Sequence, residues 1–424
     1  MKRYEKYKDS GIEWIGEIPI HWEVKKLKYI ANANPSNIDK KSKEDEQDIF
    51  LCNYTDVYYN DFISSKIDFM KATASKSQID KFLLKKGDVI VTKDSETADD
   101  IGIPALVFED FDNVVCGYHL TQIKPISILG EYLFRNFQCK FLKSYFEVSS
   151  NGITRYGLGV DELNSSPIII PPLEEQMAIA NYLDQKTAEI DELIKQKVAL
   201  LLLFEEEKKA VINNTVTIGI KPDVKLKDSG IDWLGENPEN WEVKKLKYKV
   251  NLITEKNNSE LQKVGLENIE SLSGTYIETN SEFEGEGIHF EIGDILYGKL
   301  RPYLAKVFLA DFEGAAVGDF FVLRPLKEVL PSFVKYRLLS TSFTEISNSS
   351  TYGSKMPRVS WEYMSDLFLA WPSIVEQNEI VQYIENYTTT VNQKVITTKN
   401  LIEQLKEYKT ALISEVATGK VKVI

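Results

Sequence analysis

The segment that most resembles a ligand-binding motif is residues 293–300, Gly-Asp-Ile-Leu-Tyr-Gly-Lys-Leu. It nearly matches the phosphate-binding loop G-x-x-x-x-G-K-[ST], whose backbone amides and lysine hold nucleotide phosphates. Leu300 stands where that motif needs a hydroxyl group for Mg²⁺, and in the similar segment 87–93 Thr92 replaces the second glycine. We therefore interpret both segments as a turn followed by a strand, and not as a nucleotide site.

Other catalytic patterns are incomplete. Pro222-Asp223 and the later Glu242-Val243-Lys244 loosely resemble a nuclease in which carboxylates hold Mg²⁺ and a lysine assists water. An earlier copy, Glu23-Val24-Lys25, lacks the Pro-Asp pair, which favours a repeated structural element. The Asn/Asp-Pro-Pro-Tyr/Phe motif expected of a methyltransferase acting on DNA amino groups is missing around Pro171-Pro172. These absences favour a non-catalytic protein.

Polar and basic residues at matching positions of the two halves are the remaining candidates for a binding site. In the first half they are Lys93, Ser95, Thr154, Arg155 and Tyr156, and in the second half they are Lys299, Arg301, Tyr303, Lys355 and Arg358. Arginine and lysine can contact guanine edges or phosphates, and hydroxyl groups can bond phosphate oxygens. For any single residue, ordinary surface charge is the competing interpretation. The acidic stretch 94–100 is predicted to be a solvated face.

Composition limits the class of protein. The chain has 424 residues, of which 43% are hydrophobic and 27% charged, so two to four domains with sizeable cores are expected. No apolar run reaches the ~18–20 residues of a membrane span. Three widely spaced cysteines form neither a disulfide framework nor a zinc pattern, which favours the cytoplasm. The net charge of −13 argues against a protein that wraps DNA by its own charge.

An internal repeat is the strongest feature of the sequence. Residues 8–29 read KDSGIEWIGEIPIHWEVKKLKY, and residues 227–248 read KDSGIDWLGENPENWEVKKLKY. We call these two segments the lead-ins. A second matching pair begins at Ile170-Pro171-Pro172 and Trp371-Pro372-Ser373, each followed by Glu-Gln and then a helical pattern. Repeated segments of this kind indicate a duplicated architecture.

Both helical patterns have the same apolar seam, offset by 201 residues. Its members are Ala180, Leu183, Ile190, Ile194, Leu201, Phe204 and Val211 in the first and Val381, Ile384, Val391, Val395, Ile402, Leu405 and Leu412 in the second. This 3-4 alternation is what coiled-coil packing requires. Two helices of ~40 residues would each be ~60 Å long. We expect them to pack against each other in antiparallel orientation.

The segments between these anchors predict an α+β globular domain in each half. Residues 84–91 and 290–297 each read as a turn and a strand, and residues 117–125 parallel 318–325. The predicted fold is α+β, with two globular α/β domains separated by two long antiparallel coiled-coil helices and a pseudo-twofold internal repeat. The expected domains are 1–170, the first globular domain with its lead-in; 171–217, the central helix; 218–371, the second globular domain with its lead-in; and 372–424, the C-terminal helix.

This order of motifs resembles the specificity subunits of type I restriction-modification systems. The lead-in from Ser10 to Trp22 and its copy from Ser229 to Trp241 are similar to the opening of that family. The Pro-Pro-Leu-Glu-Glu-Gln start of the central helix and Thr418-Gly419-Lys420 near the end are similar as well. The second Pro-x-x-x-Glu-Gln box departs from the family pattern, because Ser373 replaces a proline.

The resemblance implies a non-catalytic subunit that recognises double-stranded DNA. Each globular domain would be a target-recognition domain that reads one half of a bipartite, asymmetric site, with the helices as a spacer. Two methyltransferase subunits would bind S-adenosylmethionine and methylate adenine, and two restriction subunits would use ATP and Mg²⁺. On this interpretation the chain itself holds no cofactor and no metal, and has no membrane partner. The open alternatives are a stand-alone DNA-processing nuclease and a non-catalytic coiled-coil scaffold.

Overall fold

The computed structural model describes residues 2–257, 261–281, 283, 285–353 and 355–423. The chain divides into two compact units. The first unit contains Met1–Lys197 and Asn400–Ile424, and the second contains Val198–Lys399. Each unit therefore includes the beginning of one long helical segment and the end of the other.

The first unit is built mainly from short strands. They are β1 Tyr7–Asp9, β2 Glu17–Pro19, β3 Glu23–Lys26, β4 Ala31–Pro35, β5 Gln47–Cys52, β6 Phe62–Ile63, β7 Met70–Ala74, β8 Val89–Thr92, β9 Asp94–Ser95, β10 Pro104–Val107, β11 Val114–Cys116, β12 Leu120–Pro125, β13 Tyr156–Gly157 and β14 Pro167–Ile170. The helices are α1 Tyr54–Tyr58, α2 Lys76–Phe82, α3 Gly130–Phe137, α4 Lys140–Ser149, α5 Val160–Ser165 and the long α6 Leu173–Ile218.

The second unit repeats this plan. Its strands are β15 Leu226–Asp228, β16 Glu236–Pro238, β17 Glu242–Lys245, β18 Val250–Ile253, β19 Lys256–Asn257, β20 Lys263–Val264, β21 Gly287–Phe290, β22 Ile295–Gly298, β23 Val307–Leu309, β24 Gly314–Ala316, β25 Phe320–Pro325 and β26 Phe368–Trp371. Its helices are α7 Pro331–Leu339, α8 Thr341–Ser349, α9 Trp361–Asp366 and the long α10 Ile374–Ala417.

A main sheet organises each unit. In the first unit its order is β4-β12-β8-β10-β6, and in the second it is β18-β25-β22-β23. The central strands β8 and β22 are buried along their whole length, because their Val, Ile, Leu and Tyr side chains face apolar layers on both sides. A second sheet packs beside each main sheet, in the order β11-β5-β7 and β19-β21-β24-β20.

The two lead-ins fold in the same way, as their sequences predict. Strand β1 pairs with β2 in one copy, and β15 pairs with β16 in the other. Their turns are closed by the same backbone bond, from Ser10 N to Gly16 O and from Ser229 N to Gly235 O, both 3.0 Å. Trp22 and Trp241 anchor the two copies in the cores, with at most 1% of their surface exposed.

The long helices of the predicted coiled coil are present, with 46 residues in α6 and 44 in α10. Within the second unit, the Lys394 ammonium group lies 5.8 Å from the centre of the Phe204 ring, and burial together with the nearby Glu207 carboxylate raises the pKa of Tyr387 to about 12. Because the residue number rises along α6 while it falls along α10, the two segments run antiparallel. Within the first unit, Lys409 of α10 pairs with Asp191 of α6 at 2.8 Å.

Every member of the predicted seam is buried or half-buried. Its most buried members are Ala180, Leu183, Ile190, Val381, Ile384, Val391, Ile402 and Leu412. The structure therefore confirms the predicted fold class, in which mixed α/β domains accompany two long helices with a repeated apolar seam. No described helix is both long enough and apolar enough to cross a membrane.

Candidate nucleic-acid interface

In the first unit, Lys93 begins a loop at the end of the central strand β8. Its backbone is fixed on both sides, because Lys93 N donates to His119 O at 3.1 Å and Leu158 N donates to Lys93 O at 2.8 Å. The Lys93 ammonium group donates to Ser36 O at 3.3 Å and lies 4.4 Å from the centre of the Tyr118 ring. Lys93 is therefore a half-buried cation at the end of a rigid strand.

A hairpin formed by residues 151–157 lies against this loop. Asn151 and Gly157 exchange backbone bonds of 3.1 and 2.9 Å, and β13 pairs with β9 so that Tyr156 is opposite Ser95. Gly152 has a φ of +151°, and a Cβ atom there would lie 2.0 Å from Arg155 O, so the turn needs glycine. The hairpin exposes Thr154 and Arg155, while Ser95 keeps only 5% of its surface.

The second unit builds the same frame from different side chains. Lys299 N donates to Asp319 O at 2.9 Å, and Val359 N donates to Lys299 O at 3.1 Å. Tyr352 and Arg358 exchange backbone bonds of 3.2 and 3.1 Å, which closes a second hairpin. Gly353 occupies the position of Gly152, with a φ of +91°.

Three of the candidates in the second unit are exposed: Arg301, Tyr303 and Lys355. Arg301 N donates to Pro357 O at 2.7 Å, so the loop and the hairpin touch. Arg301 adopts left-handed backbone angles, with φ +50° and ψ +63°, and Ala305 does so at φ +43° and ψ +53°. Such angles are costly for residues with a Cβ atom and cluster at functional sites.

The ten candidate residues thus fall into two clusters, one in each unit. The structure brings together Lys93, Ser95, Thr154, Arg155 and Tyr156 in the first unit, and Lys299, Arg301, Tyr303, Lys355 and Arg358 in the second. Each cluster consists of a strand-end loop and a neighbouring hairpin. Their role in binding DNA stays a prediction.

Charge pairing separates the basic candidates of the second unit. Arg358 donates a forked pair of bonds to Asp319 at 3.0 and 2.8 Å, and this pairing lowers the pKa of Asp319. Lys299 lies 3.8 Å from the same carboxylate. Arg301 and Lys355 make no ion pair with any described residue. They are therefore the cations most available to a ligand, while Arg358 ties the hairpin to Asp319, just before β25.

Three tyrosines beside the first cluster were missed by the sequence analysis. Tyr54 and Tyr58 stack at 5.5 Å, Tyr59 meets Tyr58 edge-on at 4.9 Å, and the Tyr58 hydroxyl donates to Asp100 at 2.6 Å. Their helical spacing is visible in the sequence, but nothing there links α1 to residues 94–100. The prediction that 94–100 is simply a solvated face was incomplete, because Asp94 also pairs with His119 at 2.7 Å.

The rejected catalytic patterns have structural roles. Residues 295–298 of the near-match to the phosphate-binding loop are strand β22, so their backbone groups pair with neighbouring strands. Glu242 is held by Lys244 and Lys249. The three cysteines are buried, which raises their pKa values and leaves no reactive thiolate. Among the described residues, no group of three or more His, Cys, Asp or Glu is arranged to hold a metal ion.

Comparison with known proteins gives a consistent result. A family model for the type I restriction modification DNA specificity domain matches residues 19–202 and 238–407. The MjaVIII type I restriction enzyme specificity subunit of Methanocaldococcus jannaschii is 23% identical over 439 residues, which cover 96% of this chain and 94% of that protein.

Two solved structures share the fold. One, from a study of complex assembly and conformational transition of the type I R-M system, has a TM-score of 0.69 at 14% identity and covers 95% of this chain and 99% of its own. The other, the HsdS subunit from Thermoanaerobacter tengcongensis, has a TM-score of 0.58 at 15% identity and covers 95% of this chain and 98% of its own.

Proposed function

This chain belongs to the family of type I restriction-modification DNA specificity proteins, and we propose that its two units read the two halves of a bipartite, asymmetric DNA site. The family model matches both halves of the chain, which supports a separate recognition segment in each unit. As a specificity subunit the chain recognises the DNA target, and we propose that it carries out no catalytic step itself.

The observation that carries this proposal is a shared backbone frame with different side chains. Leu158 N bonds Lys93 O in one unit, and Val359 N bonds Lys299 O in the other. These bonds use only main-chain atoms, so the residues around them can change while the loop and hairpin keep their places. The first unit presents Thr154 and Arg155 and the second presents Lys355. Different side chains on the same frame should select different bases.

The repeated lead-ins support two identical protein partners. Because KDSGIEWIGE and KDSGIDWLGE form the same hairpin, each unit offers a similar surface to one copy of the same partner. We propose two methyltransferase subunits at these places and two restriction subunits in the complete complex. S-adenosylmethionine, ATP and Mg²⁺ belong to those subunits, and none is assigned to this chain. The assembly works in the cytoplasm, where it meets double-stranded DNA.

Exchange of the second recognition segment tests the proposal. Residues 250–370 are replaced by the equivalent segment of a homologue, and the DNA of a host that expresses the chain with its methyltransferase subunit is sequenced for methylated adenine. One half of the methylated site should change and the other should stay the same. If both halves change, or if neither does, the two units do not read the DNA independently.

Two measurements on purified protein address the two alternatives. Mg²⁺-dependent cleavage of DNA by the purified chain would indicate a nuclease. A complex with no sequence preference for DNA would indicate a scaffold.

A further inference from the structure

A cleft of about 430 Å³ opens beside the candidate residues of the first unit. Its walls come from α1, from the loop that follows β8, and from the hairpin 151–157. Its main lining residues are Tyr54, Tyr58, Tyr59, Asp94, Ser95, Glu96, Asp100 and Arg155. The cleft therefore combines aromatic rings, carboxylates and one cation at the place where the first unit is proposed to meet DNA.

The loop on this cleft and its equivalent in the second unit have opposite charge. Residues 93–100 contain one lysine and four carboxylates, a formal charge of −3, whereas residues 299–306 contain two lysines and one arginine, a formal charge of +3. DNA phosphates would be repelled by the first loop. If that loop contacts DNA, it faces base edges, where amino groups donate to carboxylates.

Of the three carboxylates among the described residues that line the cleft, Glu96 has the most free acceptor capacity. Asp100 already accepts from Tyr58 and Asp94 is paired with His119, whereas Glu96 is exposed and has no hydrogen bond or ion pair with a described residue. Ser95 Oγ accepts from Thr97 N at 3.3 Å, which places Glu96 at the tip of a tight turn. The hydrogen bond to Asp100 raises the pKa of Tyr58 to about 12. The Tyr58 hydroxyl therefore stays protonated, and keeps donating to Asp100, well above neutral pH.

The chemistry favours cytosine over adenine. Both bases present an amino group in the major groove, but adenine places the N7 acceptor beside it, and a carboxylate would be repelled by that lone pair. Cytosine places only its C5–H edge there, which suits the ring of Tyr59, a side chain with 76% of its surface exposed. Arg155 on the opposite wall can hold the neighbouring phosphate.

We propose that this cleft reads a cytosine of the first half-site through its N4 amino group, with Glu96 as the hydrogen-bond acceptor. This assignment rests on the proposed function and specifies its chemistry. It makes Glu96 a specificity-determining residue of the first unit alone, because the equivalent loop of the second unit is basic.

The test uses the chain in complex with its methyltransferase subunit and a DNA library with a randomised first half-site. The unaltered complex should require cytosine at one position. Glu96→Gln introduces a donor beside the acceptor and should reduce that preference about 10- to 100-fold, with the other positions unchanged. Glu44→Gln, an exposed control in the same unit, should retain the full preference.

A modified duplex provides a measurement that does not depend on a variant folding correctly. N4-methylcytosine at the required position retains base pairing but replaces the amino hydrogen that faces the groove. It should weaken binding of the unaltered complex to the level of Glu96→Gln, and it should not weaken the variant further.

The outcomes separate the two proposals. Retention of the full cytosine preference by Glu96→Gln overturns the role of the cleft, as does tight binding of N4-methylcytosine by the unaltered complex. A loss of preference at a position that requires no cytosine also overturns it. An unaltered complex without any sequence preference overturns the proposed function itself.

Discussion

Two buried arginines, Arg135 in α3 and Arg337 in α7, should respond to the same substitution in opposite ways. Arg135 and Arg337 are both fully buried, with no exposed surface. Arg135 donates to Asp184 at 3.1 Å from Nε and at 2.6 Å from Nη2, and also bonds Gln138 and Thr187. Arg337 Nε and Nη2 have no hydrogen-bond partner among the described residues. Arg135 therefore has a carboxylate partner, whereas Arg337 has only a 3.5 Å contact to Ser342 and the Trp233 ring, whose centre lies 5.9 Å away.

The effect of the Arg337 charge on the free energy of folding follows from its burial. Burial lowers the pKa of Arg337 to about 10, whereas arginine ordinarily titrates above 12. A base with a lower pKa in the folded state binds its proton less tightly there, so its charge opposes folding at pH 7 and up to about pH 10. A shift of more than two pH units corresponds to roughly 3 kcal/mol.

Arg337→Met removes this unfavourable charge and retains most of the side-chain volume. The second unit should gain about 1–2 kcal/mol, after the loss of packing and of the long 3.5 Å contact to Ser342 is subtracted. Arg135→Met breaks a buried ion pair and should destabilise the first unit by about 3 kcal/mol. This value is at the low end of the usual range because the side chain of Asp184 is 40% exposed and can be hydrated.

Native-state hydrogen exchange can follow each unit separately, which a single melting curve of a chain with two units cannot do. Protection in α3 should fall roughly 100-fold in Arg135→Met, and protection in α7 should rise roughly 10-fold in Arg337→Met. Arg135→Lys is a matched control that keeps the charge and loses the forked geometry. A fall in α7 protection in Arg337→Met would show that this guanidinium has a favourable partner, and the reasoning would be refuted.

Two further predictions concern the second unit. Arg301→Ala or Lys355→Ala should weaken DNA binding by the complex. If the lost contact is to a phosphate, the slope of log K against log salt concentration should fall by about one. If the lost contact is to a base, binding should cost about 1–3 kcal/mol more at one position of the site. Titration of binding against salt checks this with the exposed Lys327→Ala as control, and unchanged affinity and slope in both variants would contradict it. Because Arg358 lowers the pKa of Asp319, the stability that this carboxylate contributes is present above about pH 4 and is lost as the pH falls through its lower folded value. In Asp319→Asn the urea midpoint should depend less on pH in this acidic range, and an unchanged pH dependence would contradict the pairing.

The main features of the fold could be predicted from the sequence because the chain is duplicated. The closely similar lead-ins indicate repeated hairpins, and the apolar seams with their 201-residue offset indicate two long helices; the structure contains both. Gly152 and Gly353 share this 201-residue offset, and the structure places each in the turn of a hairpin with a positive φ that disfavours other residues. These features depend on local sequence, which is why they can be recognised.

The charge pairing and the cleft could not be predicted, because they depend on contacts between distant segments. Tyr58 meets Asp100 across 42 residues and Arg358 meets Asp319 across 39. Neither sequence separation carries a periodic signal, and only the tertiary fold brings these residues together. The same is true of Arg337, since the missing partner of a buried group cannot be recognised before the fold is known.

The overall charge of −13 initially argued against a DNA-binding protein, but the two loops show why net charge is a poor guide here. A duplicated frame held by main-chain bonds imposes no charge on the side chains that it presents. One copy can therefore become acidic and the other basic without any change in the backbone bonds of Lys93 and Lys299. A recognition protein of this kind can acquire a new base preference in one unit by side-chain substitution alone, because the other unit and the surfaces of the lead-ins do not have to change.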